Sequence, residues 1–375
     1  MLRMKNIALH GAYHGDNFGD SLFVILFVDW LKELNGNYNK NIYLPFAGDR
    51  IRKLVNVSDK RGLKCLFLAD LFVFVGGGYL GEPTGNIKMW SCRLIIKHLS
   101  IAFVAYILKK PYIFIGVGAG PLSYKLARRL TVFICNKSKK VIIRDKESYD
   151  YLIEYGVFSN KLIITADSIL SFSKKNVKPT YVNIIKQIIK KQNNGKYIGV
   201  HLPSINEKYM DKLLLLIQDL EIFCKILPGC KIIVFNDHFK KKYDYRDHQV
   251  FLLLKQIFIE NIMYFDYENP DMLIALISEL DIVITSKLHC GIVANCFNKY
   301  TVSIAVHEKT KRLYNQLGIE SRHTSISSYK KGDLHILLEE YNSDENSYFS
   351  VSQRIREKAM ENKEELFCFI KANSN

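Results

Sequence analysis

At 375 residues the chain exceeds one ordinary core and suits two domains, each able to bury its own interior. Lysine and arginine outnumber aspartate and glutamate by 53 to 37, and the net charge of +16 calls for an anionic partner: nucleic acid, a phospholipid surface or a phosphorylated small molecule. The 8 cysteines form no C-x-x-C pair and have no His at metal-ligand spacing, which argues against a metal module and for reduced, mostly buried thiols.

The amino terminus, Met1 to Lys5 followed by the short patch Ile7-Ala8-Leu9, lacks the apolar core of a signal peptide, so a cytoplasmic protein is expected. Ile7–His10 reads as a strand. The loop from Tyr13 to Asp20 leads to an amphipathic helix from Leu22 to about Leu34, which Asp20 and Ser21 can cap. Capping leaves Asp16 and Asn17 over, and four polar side chains on a first βα loop suit the hydroxyls of a carbohydrate, with a carboxylate to accept a proton.

Further strands are expected at Asn41–Leu44, Leu71–Val75, Tyr112–Gly116, Val141–Ile143 and Leu162–Thr165, alternating with helical patterns as in a parallel sheet wrapped by helices. Gly76-Gly77-Gly78 follows the third strand, and Gly116 to Pro121 follows the fourth. Neither is a dinucleotide fingerprint or a P-loop. A tight turn and a close backbone approach to a sugar or phosphate both remain open for them. The apolar stretch Leu94–Leu108 is broken by Lys97 and His98 and closed by Lys109-Lys110. Its greasiest part, 99–108, is far shorter than the roughly 18 residues that span a bilayer, so a buried or interfacial helix is expected.

Residues 1–175 therefore form an N-terminal domain and 176–196 a linker carrying one helix, before the turn at Asn193-Asn194-Gly195. A second βα series, Tyr197–His201, Lys231–Phe235, Ile262–Phe265, Asp281–Thr285 and Thr301–Ala305, makes a C-terminal domain over 197–330. The tail, 331–375, holds one long polar helix from Ser350 to Ile370. In "DIVITSKLHCGIVAN", residues 281–295, an unalternating apolar strand runs directly into Ser286, Lys287 and His289 at the start of a helix. The carboxyl end of a parallel strand is where such sheets bind ligands. The fold class is α/β, two Rossmann-like domains facing across a cleft in the GT-B manner.

Taken in order, these motifs resemble the polysaccharide pyruvyl transferases: Asn17-Phe18-Gly19-Asp20, Gly76–Gly78, Gly116–Pro121, Arg144-Asp145-Lys146-Glu147-Ser148, Asp167, Ser286-Lys287-Leu288-His289 and Lys309. The series spans about residues 7–318 and is far more specific than any one member. Two positions depart from the pattern: Lys287 stands for the usual arginine and Val306 for a tyrosine. Lysine keeps the charge without the two-pronged grip of guanidinium.

The resemblance implies transfer of pyruvate from phosphoenolpyruvate onto two hydroxyls of a sugar as a cyclic ketal, with release of phosphate. Phosphoenolpyruvate is then a co-substrate, and neither a cofactor nor a metal is implied. Donor binding would fall to Ser286, Lys287, Lys309 and Arg144, assisted by a helix amino terminus. His289 would be the general acid, with Cys290, about 100° around the helix, as a rival. Asp20, or Asp16, would deprotonate the sugar, and Asn17 with Gly76, Gly77 and Gly78 would line the acceptor side. His14, His201 and His307 are spare candidates. The acceptor would be a lipid-linked or polymeric glycan, with an anionic surface at the inner membrane face as a further expected partner. A GT-B glycosyltransferase using a nucleotide sugar is the alternative enzyme. A nucleic-acid-binding protein is the weaker reading, since the chain lacks an aromatic-basic recognition motif.

Overall fold

The computed structural model describes residues 5–13, 17–35, 41–82, 86–192, 195–202, 207–227, 229–239, 246–306, 308–343 and 350–374. The chain divides into two compact units, 1–171 with 353–375, and 172–352. Each holds a six-stranded, all-parallel sheet among the described residues, as the βα alternation predicts.

In the first unit the strands are β1 (Ile7–His10), β2 (Ile42–Tyr43), β3 (Leu71–Leu80), β4 (Tyr112–Ala119), β5 (Val141–Ile143) and β6 (Leu162–Ile164), in the spatial order β2-β1-β3-β4-β5-β6. The chain winds outward from β1 to β2, then returns to the other side of β1 for β3. The boundary between β1 and β3 is thus a topological switch point, where diverging loops leave a crevice at the carboxyl edge. His10 and the glycines that follow Val75 stand at that edge.

The second unit repeats the plan with β7 (Lys196–His201), β8 (Cys230–Phe235), β9 (Ile262–Phe265), β10 (Ile282–Thr285), β11 (Tyr300–Ala305) and β12 (His323–Ser325), ordered β12-β11-β10-β7-β8-β9. Its switch point lies between β7 and β10, where His201 is paired in register with Thr285. Each sheet has its own core of Val, Ile, Leu and Phe side chains, buried on the strands by helices on the faces.

Five elements differ from their sequence reading. β3 and β4 continue through their glycines instead of turning at them, because Gly76, Gly77 and Gly116 take φ of 23°, 92° and 67° and the pairing shifts register there. β12 was not anticipated: His-Thr-Ser carries no apolar run, and its strand state comes only from pairing with β11. The first helix begins at Phe18, four residues earlier than its apolar periodicity suggests, and ends at Asn35. Lastly, the helical turns 87–94, 95–99 and 100–107 are continuous, so the apolar stretch lies in a 21-residue helix, Ile87–Ile107. It is long and apolar enough to cross a membrane by length and composition, although 39% of its apolar window is buried inside the unit.

The helix Pro179–Ile188, within the expected linker, packs in the second unit on Pro270–Glu279, where Lys178 Nζ meets Asp271 Oδ2 at 2.6 Å. The final helix, Gln353–Ala372, belongs to the first unit. Its buried Asn362 accepts from Thr165 Oγ1 at 3.1 Å and donates to the carbonyl of Ala166 at 3.0 Å, while Lys140 pairs with Glu365 at 2.8 Å.

Candidate functional site

The seam predicted at Ser286–His289 lies at the second switch point. Lys287 is the N-cap of the helix Leu288–Cys296 and offers no side-chain acceptor to the first-turn N–H groups. That leaves a nine-residue helix with its amino end and a lysine at the crevice, an arrangement suited to an anion. His289 stands half-buried in the first turn, and Cys290, next along, is fully buried in the helix–sheet packing. Lys309 is exposed on the helix Glu308–Leu317.

Beneath the seam lies a polar chain that sequence reasoning reached only in part. Parallel pairing puts Phe235, His201, Thr285, Ser303 and His323 side by side on β8, β7, β10, β11 and β12. The fully buried His201 ring stacks on Phe235 with centroids 4.8 Å apart, and its Nδ1 is 3.1 Å from Thr285 Oγ1. Thr285 Oγ1 in turn accepts from the backbone N–H of Lys287 at 3.0 Å, and the N–H of Ser286 donates to the carbonyl of His201 at 2.9 Å. These bonds set the bend from which the helix leaves. On the far side of the imidazole, Asp237 Oδ1 is 3.5 Å from His201 Nε2, while Asp237 Oδ2 is 3.8 Å from Lys287 Nζ.

Burial alone would raise the Asp237 pKa. The neighbouring His201, His238 and Lys287 outweigh that and hold the carboxyl well below its ordinary range. A carboxylate kept ionised here stands 3.8 Å from the Lys287 ammonium and holds it at the carboxyl edge. Asp237 was missed, although "ND" directly after the strand Lys231–Phe235 marks the same carboxyl edge as the seam.

In the first unit, Arg144 is placed at the carboxyl end of β5. Its Nη1 donates to Asp167 Oδ2 at 3.0 Å, its Nε lies 3.6 Å from Asp145 Oδ2, and the side chain is 9% exposed. The rest of the Arg-Asp-x-x-Ser series is architectural. Asp145 caps the helix Lys146–Tyr155 by accepting from the N–H of Ser148 at 2.7 Å, and Ser148 Oγ bonds both the N–H and the carbonyl of Ala119 at the end of β4. Two of the glycines exist for Arg144: a Cβ on Gly118 would stand 2.7 Å from its Nε, and one on Gly78 would stand 3.3 Å from its Nη2. Arg144 therefore shares a wall with Gly78, and Lys287 belongs to the other unit.

Gly76 has a different reason. A Cβ there would fall 2.1 Å from the ring of Phe23 on the first helix, at a backbone φ of 23°. Gly76→Ala is expected to destabilise the fold by about 1–3 kcal/mol through overpacking, read as a lower urea midpoint. Adding Phe23→Leu to relieve the clash should recover part of the loss.

Asn17 and Asp20 prove to be partners. Asn17 Oδ1 accepts from the N–H of Asp20 at 2.9 Å, its Nδ2 donates to Asp20 Oδ2, and Asn17, not Asp20 or Ser21, caps the helix Phe18–Asn35. Asp16, His14 and His307 lie outside the described residues. The sequence reading missed one pair entirely: His10 Nε2 is 3.0 Å from His98 Nδ1, both rings buried, with Tyr79 stacked on His98 at 4.3 Å. A lone histidine inside the apolar run 94–108 was the available signal. Among the described residues no group of three His, Cys, Asp or Glu side chains is placed to hold a metal ion.

The family model for polysaccharide pyruvyl transferases matches residues 17–308, more than half of the chain. The chain belongs to this family. No curated protein matches it in sequence. Among solved structures, the polysaccharide pyruvyl transferase chain is similar to S. aureus MnaA in a UDP co-structure, at 13% identity, covering 98% of this chain and 96% of that one with a TM-score of 0.65. It is also similar to the Neisseria meningitidis UDP-GlcNAc 2-epimerase bound to UDP-GlcNAc, at 13% identity, 98% and 100% coverage and a TM-score of 0.64. A third likeness is Anabaena HepE with UDP and glucose, at 13% identity, 99% and 100% coverage and a TM-score of 0.62. At such identities the likeness establishes the fold alone, a GT-B-like α/β architecture, as the order of elements predicted.

Proposed function

We propose that this family member transfers pyruvate from phosphoenolpyruvate onto two hydroxyls of a sugar in a cell-surface polysaccharide or its lipid-linked precursor. The observation that carries the reading is the seam itself: a helix amino end, Lys287 and half-buried His289 side by side at a switch point, inside the region that the family model matches. The helix dipole, Lys287 and Lys309 suit a small, multiply charged donor. His289 protonates the methylene carbon while a sugar oxygen adds to the enol carbon. The second hydroxyl then displaces phosphate: of the two hydroxyl protons, one restores His289 after it has protonated the methylene carbon and the other leaves with the phosphate, so that the products are the ketal and inorganic phosphate. Asp20 accepts a hydroxyl proton, Asp16 being the substitute, and Asn17 holds Asp20 in place. Of the three glycines, Gly76 and Gly77 are buried, Gly76 against Phe23, and Gly78, exposed on β3, is the one that lets a sugar approach the first sheet. Arg144 is a further donor in the first unit and Ser286 a further donor in the second.

The test is release of phosphate from phosphoenolpyruvate in the presence of lipid-linked galactosyl, mannosyl and N-acetylhexosaminyl acceptors. Acceptor-dependent release is expected. The alternative enzyme, a nucleotide-sugar glycosyltransferase on the same GT-B-like fold, is tested by binding. Tight binding of a nucleotide sugar, with none of phosphoenolpyruvate, would decide for it.

Lys287 supplies a separate check. Loss of a charge-assisted contact worth about 1.5–3 kcal/mol predicts that Lys287→Ala raises the KM for phosphoenolpyruvate roughly 10- to 100-fold, whereas Lys287→Arg leaves it equal or lower. An alanine variant with an unchanged donor KM would move the donor away from this seam.

A further inference from the structure

The helices Leu63–Leu68, Ile87–Ile107 and Lys125–Lys137 lie together over the core of the first unit, and their inner faces are sealed into it by Cys65, Leu66, Leu99, Ala102, Ala127 and Ile134. Their outer faces are unusual in two ways. Large apolar side chains stand in solvent: Phe67 is 63% exposed, Ile96 70%, Ile107 59% and Leu126 53%. Aromatic contacts join the helix Ile87–Ile107 to Lys125–Lys137, with Phe133 5.2 Å from Tyr106 and 6.4 Å from Phe103. A contiguous patch of this kind marks an interaction surface. The second feature is charge, because the three helices together carry eight Lys or Arg and not a single Asp or Glu.

We propose that this face docks on an anionic lipid bilayer, with the helix Ile87–Ile107 lying in the plane of the interface. Its apolar side chains enter the headgroup boundary while Lys64, Arg93, Lys97 and Arg129 meet lipid phosphates. The helix does not span. Its inner side carries Ser91 and His98 buried in the unit, His98 3.0 Å from His10, and removal into lipid would break that packing. A second copy of the chain is a poor occupant, since an isologous contact would set cation against cation. Nucleic acid would satisfy the cations and leave Ile96, Ile107 and Leu126 in water. The inference stands on the first unit alone and is independent of the reaction at the seam.

Two tryptophans make it measurable. Trp30 is buried at 5% exposure, and Trp90, at 37%, belongs to the patch with the Arg93 guanidinium 4.9 Å from its ring. With phosphatidylglycerol–phosphatidylcholine vesicles at low ionic strength, the full chain should sediment and its emission should shift to the blue, a shift abolished by Trp90→Phe. Arg93→Gln and Lys97→Gln should each weaken binding about five-fold, and Ile96→Asp should weaken it further, while Lys330→Gln in the other unit changes nothing. High salt should release the protein. The proposal is overturned by no sedimentation with these vesicles, by equal binding to pure phosphatidylcholine, by indifference to both Ile96→Asp and Lys97→Gln, by retention through high-salt and alkaline washing as for a spanning helix, or by a blue shift from self-association without vesicles.

Discussion

His289→Ala should lower kcat for acceptor-dependent phosphate release by about 10²- to 10⁴-fold, the contribution of a positioned general acid, while the protein remains folded. The fold should survive because His289 is only half-buried in the first turn of its helix, and the local packing is supplied by Leu288, Cys290 and Ile292. The turn that precedes it is held by bonds among His201, Thr285, Ser286 and Lys287, none of which uses the His289 ring. Circular dichroism and a thermal melt close to wild type should accompany the lost turnover. Single-turnover measurements should show donor still bound, since the acid acts on the transition state more than on the ground state. A folded variant with near-normal turnover would remove His289 from the mechanism and hand the role to another group.

The largest effect on stability should come from Arg144→Ala. Arg144 and Asp167 form a pair in which both side chains are less than a tenth exposed, and removing one partner of such a pair costs about 3–5 kcal/mol because the other is left charged and buried. The variant also opens the space that Gly78 and Gly118 keep clear. The loss should depend on pH with a definite sign. In the wild type, burial raises the Asp167 pKa even against Arg144. Without the guanidinium it must rise further, so the folded state holds a proton that the unfolded state releases above its ordinary value of about 3.9. Stability of the variant then falls as pH rises through that window, and its deficit should be larger at pH ~8 than at pH ~5, where Asp167 is closer to neutral. Urea unfolding at the two pH values reads the difference directly. A deficit independent of pH would assign the loss to packing around the glycines alone.

The distribution of the proposed site residues explains why some were legible in the chain and others were not. Ser286, Lys287 and His289 are consecutive, so a strand pattern followed by a helical one is enough to place them at a carboxyl edge. Asp237 is 50 positions away from Lys287 in the chain and reaches it only because β8 lies beside β7 and β7 beside β10. His201 was legible as a strand end, but its partners Thr285 and Asp237 were not. Arg144 was legible as a motif position, and what it holds was not: Gly78 comes from β3, Gly118 from β4 and Asp167 from the segment after β6.

The class of the protein and most of its strands are written in the chain's local patterns. Runs of β-branched and aromatic residues at strand length, alternating with helical periodicity, report burial locally, and local patterns survive in any tertiary context. The ordered motif series likewise named the family before any geometry. What those residues do depends on contacts that form only in the folded chain. The tertiary structure carried the strands through Gly76, Gly77 and Gly116, gave Asn17 the cap expected of Asp20 and Ser21, and joined two apolar segments across His98 into one helix whose turn meets His10. The physical reason is common to all of these. Strand order, switch points and buried polar pairs are set by contacts between segments far apart in the chain, and no periodicity within a segment records which neighbour it will meet.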